Sequence, residues 1–110
     1  MGGRDYLGEF EHVVLLALAR LGEAAYGASI HEEILETTGR DVSIPAVYVT
    51  LKRLEAKGLV ESRVESGEGG GRATRNYVLL AEGEQALLRS REMLESLWQG
   101  SRMGRPGWAK

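Results

Sequence analysis

The sequence feature that most restricts the fold is a capped amphipathic helix followed at once by two short strands. The helix falls within SIPAVYVTLKRLEAKGLV, residues 43–60, where Ser43 is a good N-cap and Pro45 is tolerated in the first turn. Lys57 and Gly58 are typical of a helix end, because a cation meets the negative pole there and glycine adopts a left-handed turn. We expect one face to lie on a core, through a stripe of Ile44, Val47, Leu51 and Leu54.

A β-hairpin is predicted directly after this helix. Residues 60–65 alternate apolar or small side chains with charged ones, which is the two-residue period of a strand. A return strand is predicted over about residues 73–80, with a flexible glycine-rich tip at 67–71 between the two. The tip sequence GEGGGR matches neither G-x-x-x-x-G-K-S/T nor G-x-G-x-x-G and does not precede a helix. A hairpin tip is therefore favoured over a phosphate-binding loop.

Three more helices are predicted from apolar residues spaced three and four apart. The first covers about residues 7–20, and the second covers about 26–37 and ends near Gly39. The last covers about residues 82–98 and carries a broad apolar stripe. In the second helix, the residues expected to face inward are Ile30, Ile34 and Leu35.

The order of three helices and a hairpin is that of a winged helix-turn-helix. In that motif the third helix enters the DNA major groove while the second braces it. We therefore predict a mainly α fold with a small β-hairpin. Residues 1–80 are expected to form the DNA-binding domain, residues 81–99 a C-terminal dimerisation helix, and residues 100–110 a disordered tail.

Composition argues against several other classes of protein. The 110 residues suit one domain, and no apolar run approaches the roughly 20 residues that span a bilayer. No secretory signal is visible and the chain has no cysteine, so we expect a cytoplasmic protein without a membrane partner. His12 and His31 lack the spacing of metal ligands, and no catalytic constellation is visible. We expect no metal, no cofactor and no enzymatic activity.

The outer face of the third helix mixes small side chains with cations. The formal net charge is −2, yet the segment from Arg40 to Arg75 is mildly positive. Small residues let a helix backbone approach base edges, and Val49 or Thr50 could contact a thymine methyl. A winged-helix protein-interaction module without DNA binding remains the alternative. The predicted DNA-binding residues are Ser43, Ala46, Tyr48, Val49, Thr50, Lys52, Arg53 and Lys57 on this helix, with Arg63, Arg72 and Arg75 on the hairpin.

Much of the apolar stripe of the last helix has no obvious partner within the chain. A second copy is the economical partner, so a homodimer is predicted. The predicted dimer-interface residues are Leu87, Leu88, Met93, Leu94, Leu97 and Trp98.

Most of the chain, from about residue 7 to 88, resembles the PadR-like transcriptional regulators. The resemblance implies a cytoplasmic homodimer, usually a repressor, that binds an inverted-repeat operator and dimerises through its C-terminal helix. It also implies an effector acting at or near the dimer core, as in several relatives. Met93 and Trp98 are then candidates for lining a site for a small aromatic or hydrophobic effector, the alternative being ordinary packing in the dimer core. The motifs that carry the resemblance are Tyr26-Gly27, Tyr48 with Leu51-x-Arg53-Leu54-Glu55-x-x-Gly58-Leu59, and Arg72-x-x-Arg75-x-Tyr77.

Two positions depart from the family pattern. Leu80-Ala81 stands where relatives commonly have a threonine, so the last helix should lack a side-chain cap at its start. Pro45 replaces what is often a small flexible residue. Proline at this position stiffens the start of the third helix.

Overall fold

The computed structural model of the protein describes residues 6–65 and 74–104. Mainly helical with one antiparallel hairpin, it confirms the fold class predicted from the sequence. The predicted helices end within about two residues of the observed ones. The elements are α1 (Glu9–Leu21), a 3-10 turn (Gly22–Ala24), α2 (Gly27–Thr38), α3 (Ile44–Ala56), β1 (Val60–Glu65), β2 (Thr74–Leu79), α4 (Ala81–Gln99) and a second 3-10 turn (Arg102–Gly104).

One hydrophobic core lies between the first three helices and the base of the hairpin. Every one of these elements contributes side chains that are almost wholly buried, and α4 adds Leu87. Their burial explains why the apolar spacing predicted the helices well, since one stripe of each helix faces this core. The buried apolar residues of the cluster are Val14, Leu15, Ala17, Leu18, Ala25, Ile30, Ile34, Val47, Leu51, Leu54, Val60, Tyr77 and Leu87.

Two residues that were expected to face the core are more exposed than predicted. Leu35 retains 38% of its surface, because its neighbour Ile34 occupies the inward position and successive helical residues differ by about 100°. Ile44 retains 40%, because it is the first residue of α3 and lies at the margin of the helix layer. The core-facing stripe of α3 thus begins at Val47.

Strand β2 has backbone contacts on both sides. It pairs antiparallel with β1, with Tyr77 opposite Ser62. On its other edge the Tyr77 N–H donates a 2.8 Å hydrogen bond to the Ala25 carbonyl, and Tyr26 forms an isolated bridge with Asn76. The hairpin is therefore joined directly to the residues that precede α2, a connection that the sequence pattern did not predict.

The start of α4 lies close to the backbone that leads into β1. The Leu80 N–H donates a 3.0 Å hydrogen bond to the Leu59 carbonyl, and no side chain caps the helix, in agreement with the missing threonine. A Cβ atom on Gly83 would lie 2.3 Å from the same Leu59 oxygen. Only glycine permits this approach of α4 to the hairpin.

Some predictions concern segments outside the described residues. The hairpin tip at 67–71 lies outside the described residues, as do residues 105–110 of the predicted tail. The division into a DNA-binding domain, a dimerisation helix and a tail stays a prediction. Across residues 6–65 and 74–104, no helix has the length and apolar character that a membrane crossing requires.

We expect Gly83→Ala to destabilise the protein although alanine favours helices more than glycine does. The added methyl meets a backbone oxygen at 2.3 Å, and relief requires α4 to shift. The free energy of unfolding should fall by about 1–3 kcal/mol, measured by urea denaturation.

Gly100→Ala is the matched control for this substitution. A Cβ atom there meets nothing within 4 Å, and the glycine has a φ of −90° that alanine adopts freely. Equal stability changes in the two variants would contradict the close approach at Gly83.

Candidate nucleic-acid interface

The solvent face of α3 carries the small and cationic residues that the sequence singled out. Val47, Leu51 and Leu54 are fully buried, which turns the opposite side of the helix outward. Val49 is 56% exposed, Lys52 and Arg53 are exposed beside it, and Ala46 is half-buried. Among the described residues, Lys52 and Arg53 form no salt bridge, and both residues are exposed.

The first turn of α3 is held by its predicted cap. Ser43 Oγ accepts a 3.1 Å hydrogen bond from the Ala46 N–H, and Pro45 occupies the first turn without losing a backbone bond. Ser43 itself is exposed, and its hydroxyl hydrogen remains available to an acceptor. The helix therefore presents a rigid N-terminal turn at the surface.

Two residues of the predicted interface lie elsewhere than expected. Thr50 is 4% exposed, because it follows Val47 by three residues and precedes Leu54 by four, on the buried side of α3. Its methyl is not on the surface, which is a correction to the predicted thymine contact. Lys57 is exposed but directed to α1, where its Nζ lies 3.0 Å and 3.2 Å from the two carboxylate oxygens of Glu11.

Glu11 is a buried carboxylate that contacts both the start of its own helix and the end of α3. Its Oε1 accepts a 2.9 Å hydrogen bond from the Gly8 N–H at the start of α1, and both oxygens face Lys57. Burial by itself raises the pKa of Glu11, but the hydrogen bonds from Gly8 and Lys57 and the charges of Lys57 and Arg53 outweigh it, so the pKa lies below its ordinary value. The pair connects the C-terminal end of α3 to the N-terminal end of α1.

A second polar contact connects α3 to the hairpin. Ser62 Oγ donates a 2.7 Å hydrogen bond to Glu55 Oε2 and accepts one of 3.0 Å from the Arg75 guanidinium. Arg75 is exposed, so it both braces the hairpin and keeps part of its guanidinium at the surface. Arg63 is exposed and lies 3.5 Å from Glu61, whereas Arg72 lies outside the described residues.

Glu11, Glu55 and Ser62 were not among the predicted functional residues. The only sequence signals were indirect: Glu55 belongs to the quoted family motif, and Ser62 occupies an inward position in the alternation of β1. Neither signal identifies a partner. Ion pairs between residues far apart in sequence become visible only when the helices are packed.

The predicted interface residues of α4 divide into an exposed set and a buried one. Leu87 is 8% exposed and belongs to the chain's own core, which is a correction to its assignment. Met93 is half-buried beside Leu7 and Ser90. The exposed apolar residues of α4 are Leu88, Leu94, Leu97 and Trp98.

A groove runs between α1 and α4 beside these exposed residues. Leu16 and Ala19 of α1 form one wall, and the other carries Leu88, Leu94 and Trp98. His12, Arg91 and Glu95 add polar groups at its edge. In the part of the chain that the structure describes, no cluster of three histidine or carboxylate side chains could hold a metal ion.

The chain was compared with protein families and with solved structures. The family model of the transcriptional regulator PadR-like family matches residues 14–89. H. salinarum RosR is 31% identical, with 90% of this chain and 84% of that one covered at a TM-score of 0.64. No curated protein sequence matches the chain.

Two solved structures with lower identity share the fold. A PadR family transcription regulator from Clostridium difficile is 22% identical, with 84% of this chain and 93% of that one covered at a TM-score of 0.72. A winged-helix DNA-binding protein from STIV is 18% identical, with 84% and 95% covered at a TM-score of 0.65.

The fold and the family model together define the class of this protein. It is a winged-helix protein whose third helix and hairpin present a mixed small and cationic surface. The matched region covers most of the chain, from the middle of α1 to the first half of α4. The chain belongs to the PadR-like family of transcriptional regulators.

Removing the Lys57 charge should lower stability without changing the salt dependence of DNA binding. Lys57→Met leaves the buried Glu11 carboxylate without its cation, and we expect a loss of about 1–3 kcal/mol in the free energy of unfolding at pH 7. Because the pKa of Glu11 is depressed, its stabilisation is present above pH 4.5 and is lost as the pH falls through the lower folded pKa. The deficit of the variant, measured by urea denaturation, should therefore shrink on acidification.

Lys52→Met is the matched comparison on the same helix. Lys52 forms no ion pair among the described residues, so its loss should leave stability nearly unchanged and lower the salt slope of duplex binding by about 1. A fall in salt slope for Lys57→Met as large as that for Lys52→Met would contradict the structural role of Lys57.

Proposed function

We propose that this chain is a homodimeric repressor that places α3 of each subunit in successive major grooves of an inverted-repeat operator. The observation that carries the proposal is the exposed face of α3, where Val49 and Ala46 leave room for base edges beside Lys52 and Arg53. A major groove about 12 Å wide admits such a helix. Arginine is also the commonest partner of guanine, through two hydrogen bonds.

The hairpin supports this role because it carries exposed arginines that are suited to phosphate contacts. Arg63 is exposed on β1, and Arg75 on β2 keeps part of its guanidinium at the surface while bonded to Ser62. We propose that both reach the sugar–phosphate backbone next to the groove occupied by α3. Arg72, at the predicted hairpin tip, is proposed for the same role on its sequence position alone.

Dimerisation is proposed through the exposed apolar side chains of α4 and α1. Leu16, Leu94 and Trp98 remain between 44% and 56% exposed in the single chain, along one groove. Burying apolar surface of this kind is favourable at about 25 cal/mol per Å², and a second copy offers the same surface in return. Two recognition helices about 34 Å apart then match two half-sites one helical turn apart.

An effector is proposed at the same groove. Trp98 lines it together with Leu16 and Leu88, and the site would admit a small aromatic or hydrophobic molecule. Met93 lies in the neighbouring groove with Leu7, so the two effector candidates do not share one wall. Binding there would change the angle between the two DNA-reading heads. Ordinary packing of the dimer core is the competing explanation for both residues.

A winged-helix module that binds only protein is the other candidate function. It is distinguished by a titration of the purified protein with a labelled duplex from the DNA upstream of its own gene. A repressor acting on DNA should bind and weaken as salt rises, because phosphate contacts release counterions. The repressor proposal also includes a cytoplasmic location, no cofactor, no membrane partner and no catalytic role.

Arg53→Ala should weaken binding to the operator while leaving the fold and the dimer intact. Losing a contact to a guanine edge costs about 1–3 kcal/mol, so the Kd should rise about 5- to 150-fold in a fluorescence anisotropy titration. Arg89→Ala removes another exposed arginine, on α4, and serves as the control. Unchanged affinity in Arg53→Ala would remove this residue from the proposed interface.

Leu94→Glu should convert the dimer to a monomer at micromolar concentration. The substitution puts a charge on the proposed contact face, where burial without a partner is costly. Sedimentation velocity measures the result, with Ser96→Glu as a control that adds the same charge at an exposed position two residues along α4. A Leu94→Glu dimer as stable as that of Ser96→Glu would refute the interface.

A further inference from the structure

Tyr48 of α3 packs its phenol end directly against Gly27, the first residue of α2. A Cβ atom at position 27 would lie 2.2 Å from Tyr48 Cζ and 2.4 Å from the phenol oxygen. Both distances are far below ordinary van der Waals contact, which begins at 3.4 Å. No side chain can stand at position 27 while Tyr48 keeps this place. The Tyr26-Gly27 motif thus has a partner 21 residues further along the chain.

The contact lies where three parts of the DNA-reading head meet. Tyr26, next to Gly27, bridges to Asn76 of β2, and the Tyr77 N–H donates to the Ala25 carbonyl. Burial raises the pKa of the Tyr77 phenol; the charge of Arg75 opposes the rise, and Glu55 and Tyr48 add to it in smaller measure. Gly27, and with it the Tyr48 phenol, therefore lies beside the residues that join α2 to the base of the hairpin.

One side of the Tyr48 ring nevertheless stays open. The residue is 41% exposed and adjoins Val49, the most exposed large apolar residue of α3. Its phenol oxygen has no hydrogen-bond partner among the described residues. A tyrosine whose ring is held on one side, and whose hydroxyl has no partner among the described residues, is suited to donate a hydrogen bond at low conformational cost.

We propose that Gly27 is a positioning residue for Tyr48. With no side chain on the first residue of α2, the phenol lies on the α2 backbone, and in the proposed complex its hydroxyl donates a hydrogen bond to a DNA phosphate beside the groove that α3 occupies. The proposal rests on the DNA-binding function proposed above. It assigns Gly27 a role in binding although the residue itself touches no DNA.

Gly27→Ala tests the proposal because two effects on stability oppose each other. Alanine is the better helix former and should stabilise α2 if nothing else changed. The clash must instead displace Tyr48 by about 1 Å to restore ordinary contact. We expect a lower thermal unfolding midpoint and a Kd for duplex DNA about 3- to 10-fold higher, as for the loss of one hydrogen bond.

Two changes at position 48 separate the ring from its hydroxyl. Tyr48→Phe keeps the ring that clashes but removes the hydroxyl, and it should raise the Kd about as much as Gly27→Ala does. In the Tyr48→Phe background, Gly27→Ala should still lower the unfolding midpoint but change the Kd by less than about 2-fold. In the Tyr48→Ala background, Gly27→Ala should neither lower the unfolding midpoint nor raise the Kd.

The probe is a fluorescein-labelled duplex from the DNA upstream of the gene, with an unrelated duplex at low salt as a second probe. A phosphate contact is independent of base sequence, so both probes should report the same pattern. The salt slope should stay constant across the series, because tyrosine carries no charge to displace counterions.

Each outcome of this series is decisive. If the wild type binds but Gly27→Ala weakens binding equally in the wild-type and Tyr48→Phe backgrounds, Gly27 acts through the geometry of α2 and the proposal is overturned. An unchanged Kd for Gly27→Ala in the wild-type background overturns it as well. If the wild type binds neither duplex, it is the proposed function that fails.

Discussion

Complete burial of Val47, Leu51 and Leu54 is the constraint on which the rest of the structure depends. None of the three keeps any exposed surface, and truncating such a residue typically costs about 2–5 kcal/mol. Rotating the helix about its axis would expose these side chains and would cost more free energy than the net stability of a domain of this size. With the rotation set, the helical period puts Val49 and Lys52 on the opposite side, in solvent.

Polar contacts at the C-terminal end of α3 fix how α1 and the hairpin are oriented against it, which apolar packing alone constrains only weakly. The Glu11–Lys57 pair connects its C-terminal end to α1, and Glu55 holds the hairpin through Ser62 and Arg75. The cations of this region accordingly differ in whether they pair with other residues of the protein. Lys57 forms a salt bridge with Glu11, and Arg75 donates a hydrogen bond to Ser62 while remaining exposed. Lys52 and Arg53 are exposed and form no salt bridge among the described residues. Net charge alone would not have separated these groups.

The order and bounds of the helices could be predicted because their determinants are local. Apolar spacing, the Ser43 cap and the glycine at position 58, whose φ is +78°, all act within a few residues. The site was predicted less completely. Thr50 and Leu87 lie at the flanks of their apolar stripes, and whether a flank residue is covered depends on which element packs beside it. That partner is not encoded in the residue's own neighbourhood.

The sequence is sufficient to place a capped third helix before a hairpin, since periodicity and capping need only neighbouring residues. It marks Tyr26-Gly27 as a motif but gives no reason for the glycine. The reason is the phenol of Tyr48, which comes within 2.2 Å of where a Cβ would stand only after α2 and α3 have packed. The choice of Glu11 as the partner of Lys57 arises in the same way. Contacts between residues distant along the chain depend on the packing of whole elements, and that packing is a property of the folded molecule.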